Sequence, residues 1–340
     1  MSAAWTKPST SAHFAQRVND YAFMRQSLNL NRMFALSTAW VPGENHALAD
    51  IIVLGKKAGF SSFELGVTSA KFKTSELKSI VESNGVSIVS VHNICTDKAL
   101  GEENVRGDQL SSIDGKIRKN TVRMTLETIR IAESLKASAV ILHLGNIEMR
   151  HAKRKHFGFC KYAAQLGITR ELVREVNRYL ALRKKAAAPY IEAVYESIRE
   201  ILDGSKGSAV DIAVENRYFF NEIPFPEELH AIFQAFSDPR LKYWHDMGHA
   251  NMFAYLRIFK EEDWLEKFAG RLAGIHVHDA LKSRDHMPPG KGSDIDFSKY
   301  VKYFKDDKIL KVVEIAAGWP AEDLKSSKEF LENLMVTGNE

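Results

Sequence analysis

The sequence is poor in the features that mark secreted and membrane proteins. Only two of its 340 residues are cysteine, Cys95 and Cys160, and they form no CxxC pair. Two isolated cysteines exclude a disulfide framework and favour a reducing compartment. No apolar stretch approaches the roughly 20 residues that a transmembrane helix requires, and the first thirty residues hold no apolar segment of the signal-peptide kind. We therefore expect a cytoplasmic protein that does not enter a membrane.

The chain also has little excess of charge of one sign. The 47 basic and 43 acidic residues leave a net charge of +4 at pH 7. So small an excess provides no broad attraction to phosphate backbones, and no nucleic-acid partner is expected. A G-x-G-x-x-G segment after the first apolar run, which would favour an open dinucleotide-binding sheet, is missing as well.

What the sequence does contain is a repeat of architecture. Short apolar runs recur along the chain, and each is followed by polar residues and then by a helical pattern. Runs of this kind are typical of parallel strands joined by helices. They lie at residues 33–38, 61–66, 87–92, 139–145, 210–215, 241–246, 273–278 and 310–315. Eight such units predict an α/β protein with a single (β/α)8 TIM-barrel domain over residues 1–340.

Two segments exceed a minimal barrel. Residues 1–30 form a polar N-terminal extension, expected to be a helix that covers the barrel floor. Residues 148–190 form a helical insertion after strand 4, in which residues 169–185 predict a helix with Thr169 as its N-cap. An insertion at this place sits above the active-site face, so it is a candidate lid. A solvated helical decoration is the alternative.

Polar side chains gather where the predicted strands end. The active site of a (β/α)8 barrel lies at the carboxyl ends of its strands. The runs end at or near Glu64, His92, His143, Glu215, Asp246, His276 and Glu314. One such residue alone is more often a helix cap or a hydrogen-bonded core residue. The last four, however, follow one another at intervals of about one strand–helix unit, which predicts a shared site.

The residue types of these four predict a divalent cation site. Their oxygen and nitrogen donors suit Mn²⁺ first, and also Mg²⁺, Co²⁺ or Zn²⁺. The predicted metal ligands are Glu215, Asp246, His276 and Glu314. Asp246 has a local alternative as the cap of the helix that begins near residue 248. Its neighbour His245 is expected to point away from the site by strand alternation.

Further polar residues are candidates for holding the substrate. His249 lies three residues after Asp246 and is a candidate ligand of substrate or of a second metal. His92 and His143 end the third and fourth strands, where a purely structural role is the alternative. Arg217 is suited to a substrate hydroxyl, carboxylate or phosphate, or to pairing with a nearby acid.

A proline- and glycine-rich loop at residues 284–297 follows the seventh strand. Its basic residues Arg284, His286 and Lys291 are candidates for closing over an anionic or polyol substrate, and a plain surface turn is the alternative.

Several short motifs together resemble the xylose isomerase-like barrel superfamily of sugar isomerases, sugar epimerases and apurinic endonucleases. They are AVENR, HDMGHA, IHVHDA, DHMPPGKGSDIDF and VVEIA, within residues 31–335 apart from the insertion. The resemblance implies the same four metal ligands, and its H-x-x-D spacing to Asp279 favours His276 over His278. It further implies that Glu215 and Glu314 are the catalytic acid and base on opposite faces of a sugar. His249 and Arg284 would hold substrate oxygens.

The function implied is that of a divalent-metal-dependent isomerase or epimerase of a sugar, sugar phosphate or related polyol. A bound metal polarises a carbonyl and its neighbouring hydroxyl, which acidifies the adjacent C–H. One carboxylate removes that proton to give an enediolate, and the second returns it. The alternatives are a lyase or dehydratase acting on a keto-sugar or inositol derivative, a non-catalytic sugar-binding barrel and, as the least favoured, an apurinic endonuclease-type phosphodiesterase whose basic insertion would contact a nucleic-acid backbone. Barrels of this kind often associate, so a homo-oligomer is a further expectation.

The endonuclease branch of the superfamily implies extra metals. Histidines ending strands three and four and a D-x-H in the loop after strand seven would hold them. His92, His143 and His249 are present, but the loop has Arg284 where the aspartate of the D-x-H belongs. This departure argues against a full three-metal cluster, as does the weak net charge, because duplex binding relies on several contacts from basic residues to phosphate.

Overall fold

The computed structural model describes residues 33–40, 46–66, 72–95 and 107–337. Within them, eight parallel strands close into a barrel, and every predicted run overlaps one of these strands. They are β1 (Ala35–Ser37), β2 (Ser62–Leu65), β3 (Ser87–His92), β4 (Ala139–Leu142), β5 (Asp211–Glu215), β6 (Leu241–Asp246), β7 (Leu272–Val277) and β8 (Leu310–Val313). The predicted α/β barrel is therefore confirmed, whereas the predicted extension at residues 1–30 lies outside the described residues.

The strands follow the order of the chain around the barrel. Each pairs in parallel with the next, and β8 returns to pair with β1. Leu36 of β1 lies opposite both Phe63 of β2 and Val313 of β8. Because all eight strands run in one direction, their carboxyl ends meet on one side of the barrel, here called the carboxyl rim.

Helices surround the barrel and join its strands. The described α-helices are α1 (Leu48–Lys57), α2 (Leu77–Asn84), α3 (Gly115–Ser134), α4 (Ala152–Leu166), α5 (Arg170–Ala186), α6 (Ala188–Gly204), α7 (Pro226–Ala235), α8 (Met247–Tyr255), α9 (Glu262–Phe268), α10 (Val301–Phe304) and α11 (Ala321–Thr337). None of these helices has the length and apolar character needed to cross a membrane.

The first helix shows how sequence pattern fixes this packing. In α1 the buried residues Leu48, Ile51, Ile52 and Gly55 recur at helical spacing and face the barrel. At Gly55 an added Cβ would lie 2.6 Å from Cε1 of Phe63, so only glycine lets the helix approach β2 this closely.

The interior of the barrel is filled by one tryptophan among smaller apolar side chains. Trp244 of β6 is fully buried. Its cluster includes four alanines from other strands, Ala35, Ala139, Ala213 and Ala273. Gly274 on β7 leaves room for the indole, because a Cβ there would lie 2.3 Å from Cζ3 of Trp244. The indole centroid lies 5.1 Å from that of His276, so Trp244 forms a floor beneath the carboxyl rim.

The insertion folds as a pair of helices, α4 and α5. Oγ1 of Thr169 accepts a hydrogen bond from the backbone N–H of Leu172 at 3.2 Å, which confirms the predicted N-cap. His156 of α4 is fully buried against the segment that follows β5. Its ring centroid lies 4.5 to 4.9 Å from those of Tyr218, Phe219 and Phe220. The helix pair therefore packs on a loop of the carboxyl rim.

Candidate metal centre and active site

Three carboxylates and one imidazole meet at the centre of the carboxyl rim. Nδ1 of His276 lies 2.7 Å from Oε1 of Glu215 and 3.0 Å from Oε2 of Glu314. It also lies 3.6 Å from Oδ2 of Asp246. One donor atom from each of the four residues lies within 4.8 Å of the others. The structure thus brings the four predicted ligands together, and we call them the central group.

The donor chemistry of the central group fits a divalent cation. All four residues are buried, and three of them are carboxylates that repel one another when ionised. A cation held among them would offset that repulsion. Carboxylate oxygens and one imidazole nitrogen form a donor set suited to Mn²⁺, Mg²⁺, Co²⁺ or Zn²⁺.

A fifth buried residue, Glu64 at the end of β2, supports His276 from behind. Its Oε1 lies 3.2 Å from Nε2 of His276, on the ring edge opposite the central group. Glu64 is itself held by Ser37 and Ser90, whose hydroxyls donate to its carboxylate at 3.0 and 2.7 Å. A carboxylate in this position orients a metal-binding histidine and fixes its tautomer, leaving Nδ1 free to face a cation.

The charges of the central group are strongly coupled. Burial alone would lower the pKa of His276, but the carboxylates of Glu314 and Glu64 raise it well above its ordinary value. Burial alone would raise the pKa of Glu314, yet His276 and His286 hold it well below its usual range. Positive charge at the imidazole therefore stabilises the carboxylates around it, as a divalent cation held among them would.

Asp246 caps helix α8 and also faces the central group. Its Oδ1 accepts a hydrogen bond from the backbone N–H of His249 at 2.7 Å, so it caps α8. The same oxygen lies 3.0 Å from Nε2 of His278, while the carboxylate also faces His276. Nδ1 of His249 lies 2.9 Å from the carbonyl oxygen of Asn216, which leaves its Nε2 directed elsewhere.

Two further donor groups share a member with the central group. The first, here called the loop group, consists of Asp246, His249 and His286. Asp285 adds a carboxylate to it, with Oδ2 3.2 Å from Nδ1 of His286 and 3.7 Å from Nε2 of His249. Asp285 thus supplies an acid one position after the place where the D-x-H pattern carries one.

The second, here called the two-histidine group, consists of His92, His143 and Glu215. Nε2 of His143 lies 2.7 Å from Oε2 of Glu215, and the rings of His92 and His143 meet edge to face at 4.4 Å. Arg217 enters this group and donates to Glu215 through Nη1, which also lies 2.5 Å from Nε2 of His143. Burial, then Arg217 and His92, lower the pKa of His143 to about 4.

Arg217 also sets the charge of Glu215. Burial would raise the pKa of this carboxyl, but the guanidinium of Arg217 and the ring of His143 hold it well below its usual range. Glu215 is consequently ionised at neutral pH, as a metal ligand must be.

Some predicted residues are not brought to these groups. Arg284 is exposed, and its guanidinium lies over the ring of Trp319 at 5.1 Å. Nζ of Lys291 lies 3.1 Å from Oδ1 of Asp323. His245 points away from the barrel interior, as expected, and its Nδ1 lies 2.7 Å from the hydroxyl of Tyr243.

Two histidines of the site keep part of their surface exposed. Glu215, Asp246 and His276 have no exposed side-chain surface, whereas His143 is 18% exposed and His286 is 24% exposed. A substrate would therefore approach past these two histidines.

Four residues that contact the site were not among the predicted site residues. They are Glu64, Glu222, His278 and Asp285. Glu64 had a usable signal, since it is an acid inside a short apolar run at a strand end. His278 also had one, since it shares the side of the strand that carries His276, although the H-x-x-D spacing favoured His276. Glu222 and Asp285 offered none, because their contacts depend on how the loops fold back over the rim.

Comparisons with known proteins agree with this architecture. Residues 52–334 match the family model described as xylose isomerase-like TIM barrel. A D-tagatose 3-epimerase-like protein is similar in structure, with a TM-score of 0.62 and 18% identity over 90% of this chain and 98% of that one. For L-ribulose 3-epimerase the TM-score is 0.61 with 13% identity, over 90% and 95% of the two chains.

A D-psicose 3-epimerase from Clostridium cellulolyticum H10, crystallised with D-tagatose, is also similar. Its TM-score is 0.59 with 14% identity, over 89% of this chain and 99% of that one. No curated protein sequence matches the chain. At these identities the structural likeness shows a shared fold.

Proposed function

We propose that this chain, which belongs to the xylose isomerase-like TIM barrel family, is a divalent-metal-dependent isomerase or epimerase of a sugar, sugar phosphate or related polyol. The observation that carries the proposal is the buried central group, in which three carboxylates and one imidazole converge within 4.8 Å. The sugar 3-epimerases among the similar structures support a carbohydrate as substrate.

Two carboxylates of the central group are suited to proton transfer. Glu215, Asp246, His276 and Glu314 would hold the cation, which when bound polarises a sugar carbonyl and its neighbouring hydroxyl. Glu215 and Glu314 reach the centre from β5 and from the end of β8, so they approach a bound sugar from different strands. One removes the proton from the carbon next to the carbonyl, and the other returns a proton. Return to the opposite face of the same carbon gives an epimer, and return to the adjacent carbon gives an isomer.

Histidines around the central group supply groups for substrate oxygens. His143 and His286 are partly exposed, and His249 lies beside His286 with their ring centroids 5.4 Å apart. Imidazoles donate or accept hydrogen bonds according to tautomer, which suits the hydroxyls of a sugar. His92 lies deeper, against His143, and would orient it.

Metal analysis tests the proposal. Protein purified without chelator is compared with Asp246→Asn and Glu314→Gln after dialysis against Mn²⁺. We expect wild type to retain a divalent ion and both variants to lose most of it, because each loses a charged ligand. Glu332→Gln is the matched control, since Glu332 is a buried acid paired with Lys328 in α11. Equal metal content in all four proteins would refute the site.

A second candidate function is phosphodiester hydrolysis. The loop group and the two-histidine group each share a carboxylate with the central group, and adjoining metals are a common arrangement for cleaving phosphodiesters. A duplex containing an abasic site distinguishes the two candidates. Efficient nicking that disappears in His92→Ala and His143→Ala would favour hydrolysis, whereas an intact duplex would favour the sugar reaction.

A further inference from the structure

The two-histidine group already contains a positive charge. Nη1 of Arg217 donates to Oε2 of Glu215 and lies 2.5 Å from Nε2 of His143. His143 and Glu215 are both possible ligands of this group, and these two atoms lie 2.7 Å from each other. The guanidinium therefore engages donor atoms that face one another inside the group.

An ion and the guanidinium cannot use these donors together. A metal such as Zn²⁺ bonds to nitrogen and oxygen at about 2.0 to 2.2 Å and requires the ligand lone pairs to point at it. A hydrogen bond from Arg217 uses the lone pairs of the same atoms. Because an arginine side chain stays protonated in proteins, it contributes its positive charge at every ordinary pH.

The position of Arg217 is fixed from its other side. Its Nη2 and Nε lie 3.2 and 3.4 Å from Oε1 of Glu222. The second oxygen of Glu222 accepts backbone hydrogen bonds from Phe219 at 2.7 Å and Tyr218 at 3.1 Å. Glu222 begins a short strand that pairs with Gly145–Asn146, which lies three residues beyond the end of β4. A carboxylate locked in this way holds the guanidinium in place and resists its displacement by an ion.

We propose that Arg217 is a built-in cation that replaces a metal ion in the two-histidine group. The site then holds metal in the central group, and in the loop group if a second ion binds, but not between His92 and His143. This inference rests on the proposed function, because it assumes that the central group binds metal. It also favours sugar chemistry over a three-metal phosphodiesterase, since the third ion would be absent.

The arrangement leaves Arg217 able to position substrate. Of its five N–H groups, those on Nε and Nη1 and one on Nη2 face Glu222, Glu215 and His143. One N–H of Nη2 remains, and the side chain is 13% exposed. This N–H is available to a substrate oxygen.

Metal stoichiometry tests the inference without relying on activity. Wild type, Arg217→Met and His92→Ala are each dialysed against the same free Mn²⁺ concentration, and bound metal is measured by mass spectrometry. We expect Arg217→Met to bind one more ion per chain than wild type, because the lone pairs of Glu215 and His143 become available. In wild type, removing His92 should leave the bound metal unchanged. The double variant Arg217→Met/His92→Ala should lose the extra ion.

Arg271→Met is the matched control. Arg271 is half-buried at the opposite end of the barrel, where its Nη1 donates to the carbonyl of Leu241 at 3.0 Å. The Arg271→Met variant should bind the same amount of metal as wild type. Equal stoichiometry in wild type and Arg217→Met would overturn the inference, and so would loss of one ion from the His92→Ala single variant. The metal content of His92→Ala compared with wild type tests the inference even if Arg217→Met does not fold. Loss of metal in Glu314→Gln tests the proposed function separately.

Discussion

At the scale of single residues, Glu64 acts on the central group without belonging to it. Its carboxylate lies 3.2 Å from Nε2 of His276 and orients the ring. Glu64→Gln should weaken metal binding by about 10- to 100-fold, as is usual when the partner of a metal-binding histidine is removed. Titration of the metal-free protein with Mn²⁺ measures this change. The same titration of Glu332→Gln should match wild type, and an unchanged affinity in Glu64→Gln would contradict the assigned role.

Gly248 is the residue whose lack of a side chain shapes the site most directly. An added Cβ would lie 2.3 Å from Cε1 of His278 and 2.8 Å from Cβ of Asp285. Gly248→Ala should therefore lower the free energy of unfolding by about 1–3 kcal/mol, the usual cost of overpacking, and should weaken metal binding through Asp246.

Urea unfolding measures the effect of Gly248→Ala, with Gly158→Ala as its control. Gly158 lies in α4, where an added Cβ meets nothing within 4 Å. Alanine there should stabilise the helix by roughly 0.5–1 kcal/mol. If Gly248→Ala and wild type have equal free energies of unfolding, an alanine Cβ at this position does not clash with His278, and the prediction is contradicted.

At the scale of elements, helix α4 buries a histidine without a hydrogen-bond partner. Neither ring nitrogen of His156 has a partner, and burial lowers its pKa from the ordinary 6.5 to about 4. In the unfolded chain the ring takes up a proton at higher pH than in the folded protein. Stability is therefore lost as the pH falls from 6.5 towards 4, by about 3 kcal/mol from this residue.

The variant His156→Phe isolates this contribution. Phenylalanine suits the aromatic surroundings and leaves no unpaired polar atom, so we expect higher stability at pH 7 and a larger gain at pH 5. Thermal unfolding of wild type and variant across this pH range measures both effects. His230→Gln, at an exposed position in α7, should keep the wild-type profile. A difference between His156→Phe and wild type that does not grow as the pH falls would contradict the argument.

The elements also show where sequence reasoning reached its limit. The eight strands were predictable because each is a short apolar run followed by a helical pattern. The loop after β7 was not, since Asp279–Leu281 pairs with Arg284–Met287 in an irregular register. That register directs Asp285 to the loop group and leaves Arg284 over Trp319. A shift of this pairing register by one residue therefore exchanges Asp285 for Arg284 at the site. Sequence spacing alone does not determine the register.

At the scale of the whole molecule, ring closure brings distant residues into contact. Barrel order places the ends of β5 to β8 side by side, which is why the four candidate ligands near those ends were predictable as a set. Glu64 reaches His276 across the barrel from 212 positions away in the chain. Arg217 reaches His143 through a loop that a short strand pair holds in place. Contacts of this kind follow from three-dimensional closure, so strand patterns alone do not reveal them.

Solvent deuterium exchange tests the central claim most directly. Metal-loaded protein is incubated in D₂O with a panel of ketohexoses, ketopentoses and their phosphates, and the C–H next to each carbonyl is followed by proton NMR. We predict that at least one sugar loses this signal, that chelation stops the exchange, and that Glu314→Gln slows it by at least about 100-fold, the lower end of what proton transfer by a positioned side chain contributes. Absence of exchange across the panel, or exchange that persists after chelation, would contradict a metal-dependent proton transfer at the central group.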